Sequence, residues 1–219
     1  MEAKAYLALA NGQVFEAERF GAPGETIGEL VFNTSMTGYL ETLTDPSYFG
    51  QIVVATFPLI GNYGDIPADY ESAGIHMSAY IVRQWCQDPS NFRCGGDLDA
   101  FLKRQGVIGL CGVDTRRLTR IIRESGVMNA AIVDSREQAS AWMERVRAYE
   151  VRDAVANVTC DREYVLKPEK PARKAALQVG RFLREREIVH YQRFGEALRS
   201  IAEAASSPNY YAFNPAFDL

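Results

Sequence analysis

The chemistry of this 219-residue chain is narrowed first by what it has little of. Histidine occurs twice, at His76 and His190, and cysteine four times, at Cys86, Cys94, Cys111 and Cys160, with no C-x-x-C pair among them. That spacing excludes a zinc-finger ligand set and a redox dithiol, so no metal is expected and the cysteines read as reduced, mostly buried thiols. No stretch reaches the about 18 consecutive apolar residues of a membrane span, and the start has one lysine and a short apolar run broken by Asn11 and Gly12, unlike a secretory leader. The expectation is a cytoplasmic protein with no membrane role, in which the sequons at Asn33-Thr34-Ser35 and Asn157-Val158-Thr159 are idle. Cationic excess is also missing. The 24 Lys and Arg stand against 28 Asp and Glu, a net charge of -4, which argues against nucleic acid as a partner. Gly21-Ala22-Pro23-Gly24 lacks the lysine and helix opening of a phosphate loop, so ATP chemistry and a bound cofactor are not expected here.

What is present is a globular composition, 47% hydrophobic and 24% charged. A chain of this length buries roughly 70% of its unfolded surface and needs no cross-links to hold a core. Residues rich in β-branched and aromatic side chains predict strands at Ala5 to Leu9, Val14 to Arg19, Gly28 to Thr34, Gln51 to Phe57 and Ile75 to Gln84. From Asp97 the period changes. Leu98, Phe101 and Leu102 fall at helical spacing, Gly106 stands where a C-terminal cap belongs, and Val107 to Cys111 reads as a buried strand. Asp114 caps a second predicted helix with Leu118, Ile121 and Ile122 on its apolar face, Gly126 ends it, and Asn129 to Val133 resumes a strand. That succession predicts a strand-helix-strand crossover. Ser135 with Gln138 forms a capping box for a further helix on which Trp142, Met143 and Val146 share a face.

A boundary is expected near Lys167, where Lys-Pro-Glu-Lys-Pro-Ala-Arg-Lys has the composition of a spacer. Residues 1–167 hold 16 Lys and Arg against 22 Asp and Glu, and residues 168–219 hold 8 against 6, so the body is acidic and the tail mildly basic. The reading is a body over 1–166, a linker over 167–174 and a tail over 175–219. The tail has one predicted helix, with Phe194, Leu198, Ile201 and Ala205 in phase, and an aromatic end at Asn209 to Phe213.

Among residues that could carry chemistry, Cys111 lies in Gly109-Leu110-Cys111-Gly112-Val113. A nucleophile elbow needs glycine two residues to either side, and Val113 breaks the pattern. The downstream His190 is followed by Gln192 rather than a carboxylate, so Cys111 reads as a buried strand residue. His76 has no partner at metal-ligand spacing and reads as structural. Arg116, Arg117, Arg120 and Arg123 gather on one helix and could hold phosphate, an acidic partner surface or only water. Asp45-Pro46-Ser47-Tyr48 is a turn by its chemistry and presents the Ser47 hydroxyl at a loop tip.

The blocks Gly28-Glu29-Leu30-Val31-Phe32-Asn33-Thr34-Ser35-Met36-Thr37-Gly38-Tyr39, Leu43 to Tyr48, Gly50 to Val53 and Ile60-Gly61-Asn62-Tyr63-Gly64 together resemble the amino-terminal domain of the carbamoyl phosphate synthetase small subunit. The likeness continues in register through Ser90 to Arg93, Leu98 to Lys103, and Asp114 to Arg120 with Arg123 to Gly126. It covers residues 1–135 and extends to about 166, where Asn157 to Cys160 is similar to the last strand of that domain. The resemblance implies an α/β fold, a three-layer β/β/α domain of the swivelling type, that docks on the large synthetase subunit. It also implies that Ser47 matches a serine contacting glutamine, and that ammonia from glutamine feeds carbamoyl phosphate synthesis for arginine and pyrimidines. In the family a class I amidotransferase domain of roughly 150–200 residues follows, with a glycine-flanked nucleophile and a His-x-Glu pair. The 52 residues after Lys167 supply neither. The expectation is therefore a truncated small-subunit-like chain with no catalytic residue for glutamine hydrolysis of its own. It would serve as a scaffold, work with a separately encoded glutamine amidotransferase domain, or be a frame-shifted remnant.

Overall fold

The computed structural model describes residues 4–159. The described residues belong to one compact unit, Met1–Asp161, which is the body. The expected linker at 167–174 and tail at 175–219 lie outside the described residues, as do Cys160 and His190.

The β-branched and aromatic segments form strands that close on one another. β1 (Lys4–Leu9) and β2 (Val14–Gly21) pair antiparallel. Their turn passes through Gly12 at φ +90, where the N–H of Leu9 donates to the Gln13 carbonyl at 2.8 Å. β3 (Thr26–Asn33), β4 (Gln51–Ala55), β6 (Ala79–Ile81) and β8 (Ile108–Cys111) run parallel, and β9 (Met128–Val133) joins β3 to β1 by antiparallel ladders on both sides. The ring β1-β2-β8-β6-β4-β3-β9 is a closed barrel, so none of its seven strands leaves an open edge. β5 (Leu59–Ile60) and β7 (Gln84–Trp85) form a separate two-stranded parallel sheet.

Side-chain alternation sorts the core. Leu7, Leu9, Ile52, Val54, Ile108, Leu110, Ala130 and Ile132 form one cluster, which α3 (Thr115–Ser125) completes with Leu118 and Ile122. The intervening residues Val53, Ala55, Tyr80 and Val82 pack against α1 (Tyr39–Thr44) and α2 (Leu98–Gln105) through Leu40, Leu43, Leu98, Phe101 and Leu102. Ala8, Ala131 and Val133 pack against Ala139 of α4 (Arg136–Ala141) and Val146 of α5 (Met143–Arg147).

The helix signals are where the sequence places them. Asp97 accepts from the N–H of Ala100 at 2.7 Å, Asp114 from that of Arg117 at 3.0 Å, and Gly106 ends α2 in the left-handed region at φ 69. The Ser135–Gln138 capping box closes in both directions.

Four expectations are corrected. The β8–α3–β9 succession is not a crossover between neighbours: β8 pairs with β2 and β6, and β9 with β1 and β3. The strand expected from Ile75 to Gln84 is only Ala79–Ile81, where pairing with β4 begins at Ile52, and the chain then leaves the ring to form β7. The helix after Ser135 breaks at Trp142 into α4 and α5. Asn157 and Val158 end a short helix, α6 (Ala154–Val158), rather than a strand, because the side chains of Asn157 and Thr159 bond back to the carbonyls of Asp153 and Val155.

Candidate functional site

The Asp45-Pro46-Ser47-Tyr48 turn is a single 3₁₀ turn over Pro46–Tyr48. Asp45 caps it by accepting from the N–H of Ser47 at 2.8 Å, proline presets its first φ, and Ser47 is exposed at the tip. The tip is short, and three neighbouring segments hold its base. Asn33, at the end of β3, donates from its amide to the Tyr48 hydroxyl at 3.1 Å and to Thr42 Oγ1 at 3.3 Å. Thr44, fully buried at the end of α1, accepts from the N–H of Glu71 at 2.9 Å, and the Ser72 hydroxyl donates to the Thr44 carbonyl at 2.6 Å. On the far side Gly50 is left-handed at φ 74 and its carbonyl accepts from the Tyr149 hydroxyl at 3.1 Å.

An open cleft of about 450 Å³ runs beside the turn, lined by Asn33, Thr37, Glu41, Thr42, Asp45 and Tyr48. Ser35 and Glu71 add to this polar lining, and Gly38 and Pro46 complete it. Glu41, in the first turn of α1, has a buried Oε2 with no hydrogen-bond partner among the described residues. The shape of the cleft depends on the placement of α1, which supplies Glu41 and Thr42 to its wall.

That placement comes from the Gly61-Asn62-Tyr63-Gly64 block. The Tyr63 hydroxyl accepts from the N–H groups of both Gly38 and Tyr39, each at 3.1 Å, and so caps the start of α1 from outside the helix. Tyr39 stacks on Tyr63 with centroids 4.1 Å apart and donates from its own hydroxyl to the Gly64 carbonyl at 2.6 Å. Burial raises the pKa of both phenols, and the neighbouring ring adds to the rise at Tyr39.

The next residue, Asp65, is 3% exposed. It accepts from Arg104 Nη2 of α2 at 2.6 Å and from the Tyr70 hydroxyl, while Tyr70 stacks on Phe101 at 5.1 Å with Arg104 over the other partner of that ring system at 5.5 Å. A buried carboxylate is tolerated here because it is paired and hydrogen-bonded. Desolvation first, then the Asp65 bond, pushes the Tyr70 phenol up.

The remaining candidates fall elsewhere. Cys111 is buried at the end of β8, bordering a groove of about 620 Å³ with Glu18, Arg83, Trp85 and Asp114, while Ser47 belongs to the turn beside the other cleft. His76 is half-buried in the loop before β6 rather than at a strand start, and no group of three metal-ligating residues occurs among the described residues. Arg116, Arg117, Arg120 and Arg123 are all exposed on α3. The sequence reading missed Asn33, Tyr63, Asp65, Arg104 and Tyr149. The one available signal was Tyr63 in a glycine-flanked tight turn, which marks a constrained loop without naming what it holds.

The described residues thus form a closed α/β barrel that carries a braced, exposed serine turn beside a mostly polar cleft. The family described as carbamoyl-phosphate synthase small chain, CPSase domain, matches residues 7–132, more than half of the chain, and the chain belongs to that family. It is 48% identical over 166 residues to the carbamoyl phosphate synthase small chain of Clostridium perfringens (strain 13 / Type A), covering 76% of this chain and 48% of that one. It is 49% identical over 164 residues to the small chain of Syntrophotalea carbinolica, covering 74% and 44%. To the pyrimidine-specific small chain of Bacillus subtilis (strain 168) it is 45% identical over 162 residues, covering 74% and 44%. The chain thus spans about half the length of these relatives. No helix among the described residues is long and apolar enough to cross a membrane.

Proposed function

We propose that this chain is a small-subunit-like component of a glutamine-dependent carbamoyl phosphate synthetase, acting in the cytoplasm in pyrimidine or arginine synthesis. Residues 1–166 form its docking domain for the large subunit, 167–174 its linker and 175–219 its tail. Ser47 contacts glutamine at the edge of the domain. The nucleophile that hydrolyses glutamine is not among these residues, so an amidotransferase domain working with this one supplies it. In layer terms, the interior cluster is the seam between two sheet layers and α1 with α2 forms the third, the β/β/α arrangement of the swivelling type.

One observation carries the reading. The family-like blocks from Asn33 to Ser72 converge physically on the Ser47 turn: Asn33 bonds Tyr48 and Thr42, Tyr63 caps α1, and Ser72 bonds Thr44. A turn whose backbone is braced this way presents the Ser47 hydroxyl at an exposed tip, a placement suited to contact a substrate bound against a neighbouring surface. The buried position of Cys111 supports a second reading, in which the chain is a scaffold and the assembled synthetase runs on free ammonia.

Co-elution of the full chain with a carbamoyl phosphate synthetase large subunit at physiological salt tests docking. In the assembled enzyme, Ser47→Ala is expected to raise KM for glutamine about tenfold and to leave ammonia-dependent synthesis unchanged. A chain that elutes separately would reject the docking role. Unchanged glutamine kinetics in the variant would reject the role of Ser47.

A further inference from the structure

α3 presents two unlike faces. Thr115, Leu118 and Ile122 are buried, with Leu118 and Ile122 in the interior cluster, whereas Arg116, Arg117, Arg120 and Arg123 are exposed. At 100° per residue, Arg116, Arg120 and Arg123 fall within about 60° of one another and span about 10 Å along the axis. Arg117 flanks them and lies over the Phe15 ring at 5.3 Å. Six cations among the described residues lie in ion pairs, Lys4 with Glu16, Arg19 with Asp134, Arg93 with Asp69, Lys103 with Asp99, Arg104 with Asp65 and Arg152 with Glu150, while Arg83, Arg136, Arg145 and Arg147, like the arginines of α3, form none but are not gathered with them on one helix face. Arg116, Arg120 and Arg123 form no ion pair among the described residues, although Glu124 is four residues from Arg120 on the same helix. Residues 1–167 carry 16 cations and 22 anions, yet this helix holds four arginines and one glutamate.

We infer that the outer face of α3 is a docking surface for an acidic protein face and, resting on the role proposed above, that this face belongs to the large synthetase subunit. The charge pattern decides the class of partner. A polyanion such as nucleic acid would meet the repulsion of an acidic body beyond this single helix. A phosphate group would need converging donors or an open helix N-terminus, and Asp114 already occupies that terminus by accepting from the Arg117 N–H. A row of guanidinium groups at i, i+4 and i+7 instead matches carboxylates at the same spacing on a facing helix. The inner face anchors the row to the barrel core, so little order is lost when a partner binds.

The test is the affinity of the full chain for a carbamoyl phosphate synthetase large subunit. Simultaneous Arg116→Glu, Arg120→Glu and Arg123→Glu is expected to weaken binding about 100-fold, chiefly through slower association, and the matching glutamine substitutions to weaken it less. Raising salt from about 50 mM to about 500 mM weakens the unaltered chain and not the reversed one. Lys103→Glu, a reversal on α2, leaves affinity unchanged. Melting curves confirm that the variants fold, which their exposed positions favour. If the unaltered chain binds and the triple reversal binds equally well, this surface assignment is overturned while the docking role stands. If the unaltered chain does not bind, both fall. Equal binding by the reversed variant, together with its loss of an affinity for inorganic phosphate, reassigns the face to an anion and also overturns the proposal.

Discussion

The hydroxyl of Tyr149 donates to the carbonyl of Gly50 at 3.1 Å, across 99 residues of sequence, and ties the segment after α5 to the foot of the Ser47 turn. Gly50 is held at φ 74, and a β-carbon there would come to 3.0 Å from the Tyr149 hydroxyl and 3.1 Å from the Val151 methyls. Gly50→Ala is therefore expected to destabilise the domain by about 1–3 kcal/mol, from left-handed strain and the displaced ring. Urea unfolding measures it. Tyr149→Phe, which removes the bond and keeps the ring, should cost about 1 kcal/mol. A Gly50→Ala chain as stable as the parent would show that the contact is not tight.

Tyr63→Phe leaves the N–H groups of Gly38 and Tyr39 without their acceptor while keeping the stack on Tyr39. The expected loss is about 1–3 kcal/mol, since two partly buried donors go unsatisfied. Hydrogen exchange at the start of α1 should quicken in the variant more than exchange in α2. Equal changes in both helices would mean that Tyr63 acts on global stability rather than on α1.

Tyr39, Tyr70 and Tyr80 all have phenols raised above the ordinary value of 10.0, by burial in each case, with the Asp65 bond adding at Tyr70. Unfolded phenols lose protons from pH 10 upward while the folded ones keep them. The unfolded state then binds fewer protons, so stability is complete below about pH 10 and declines as pH rises beyond it. Urea midpoints between about pH 8 and pH 11 check the sign. Tyr70→Phe should flatten the decline, and a midpoint that climbs through this window would contradict the assignment.

Cys111 ends a strand of the ring wall and is 6% exposed. Cys111→Ala is expected to leave glutamine-dependent activity of an assembled synthetase within about twofold of the parent while lowering stability by about 1 kcal/mol. Loss of glutamine hydrolysis alone, with ammonia-dependent synthesis intact, would instead make this thiol the nucleophile.

Much of the local structure is legible because its causes lie within a few residues. Asp97, Asp114 and Ser135 cap their helices with bonds that span three residues, and Gly106 ends α2 by a conformation open to glycine. The Asp45–Ser47 turn is of the same kind. Where a local pattern was extended too far, pairing or side-chain competition intervened. Ile75 to Met77 has strand-like composition but the pairing with β4 starts only at Ser78, whose N–H donates to the Gln51 carbonyl at 2.8 Å, and Asn157 has a helical carbonyl within reach.

The site was legible only at its tip. Ser47 and its cap follow from four consecutive residues, but the braces come from residues 15, 28 and 99 positions away, through Tyr48 to Asn33, Thr44 to Ser72 and Gly50 to Tyr149. The pairing of Asp65 with Arg104, 39 residues apart, is of the same sort.

The sequence by itself determined most of the barrel strands, the caps of α2, α3 and α4 and the family, because propensity, capping and motif order act over short distances along the chain. Only the tertiary structure decided that β9 closes the ring onto β1, that Tyr63 caps α1 and that the arginines of α3 face outward together. Those outcomes depend on which distant apolar faces are buried together, and burial is settled by the packing of the whole domain.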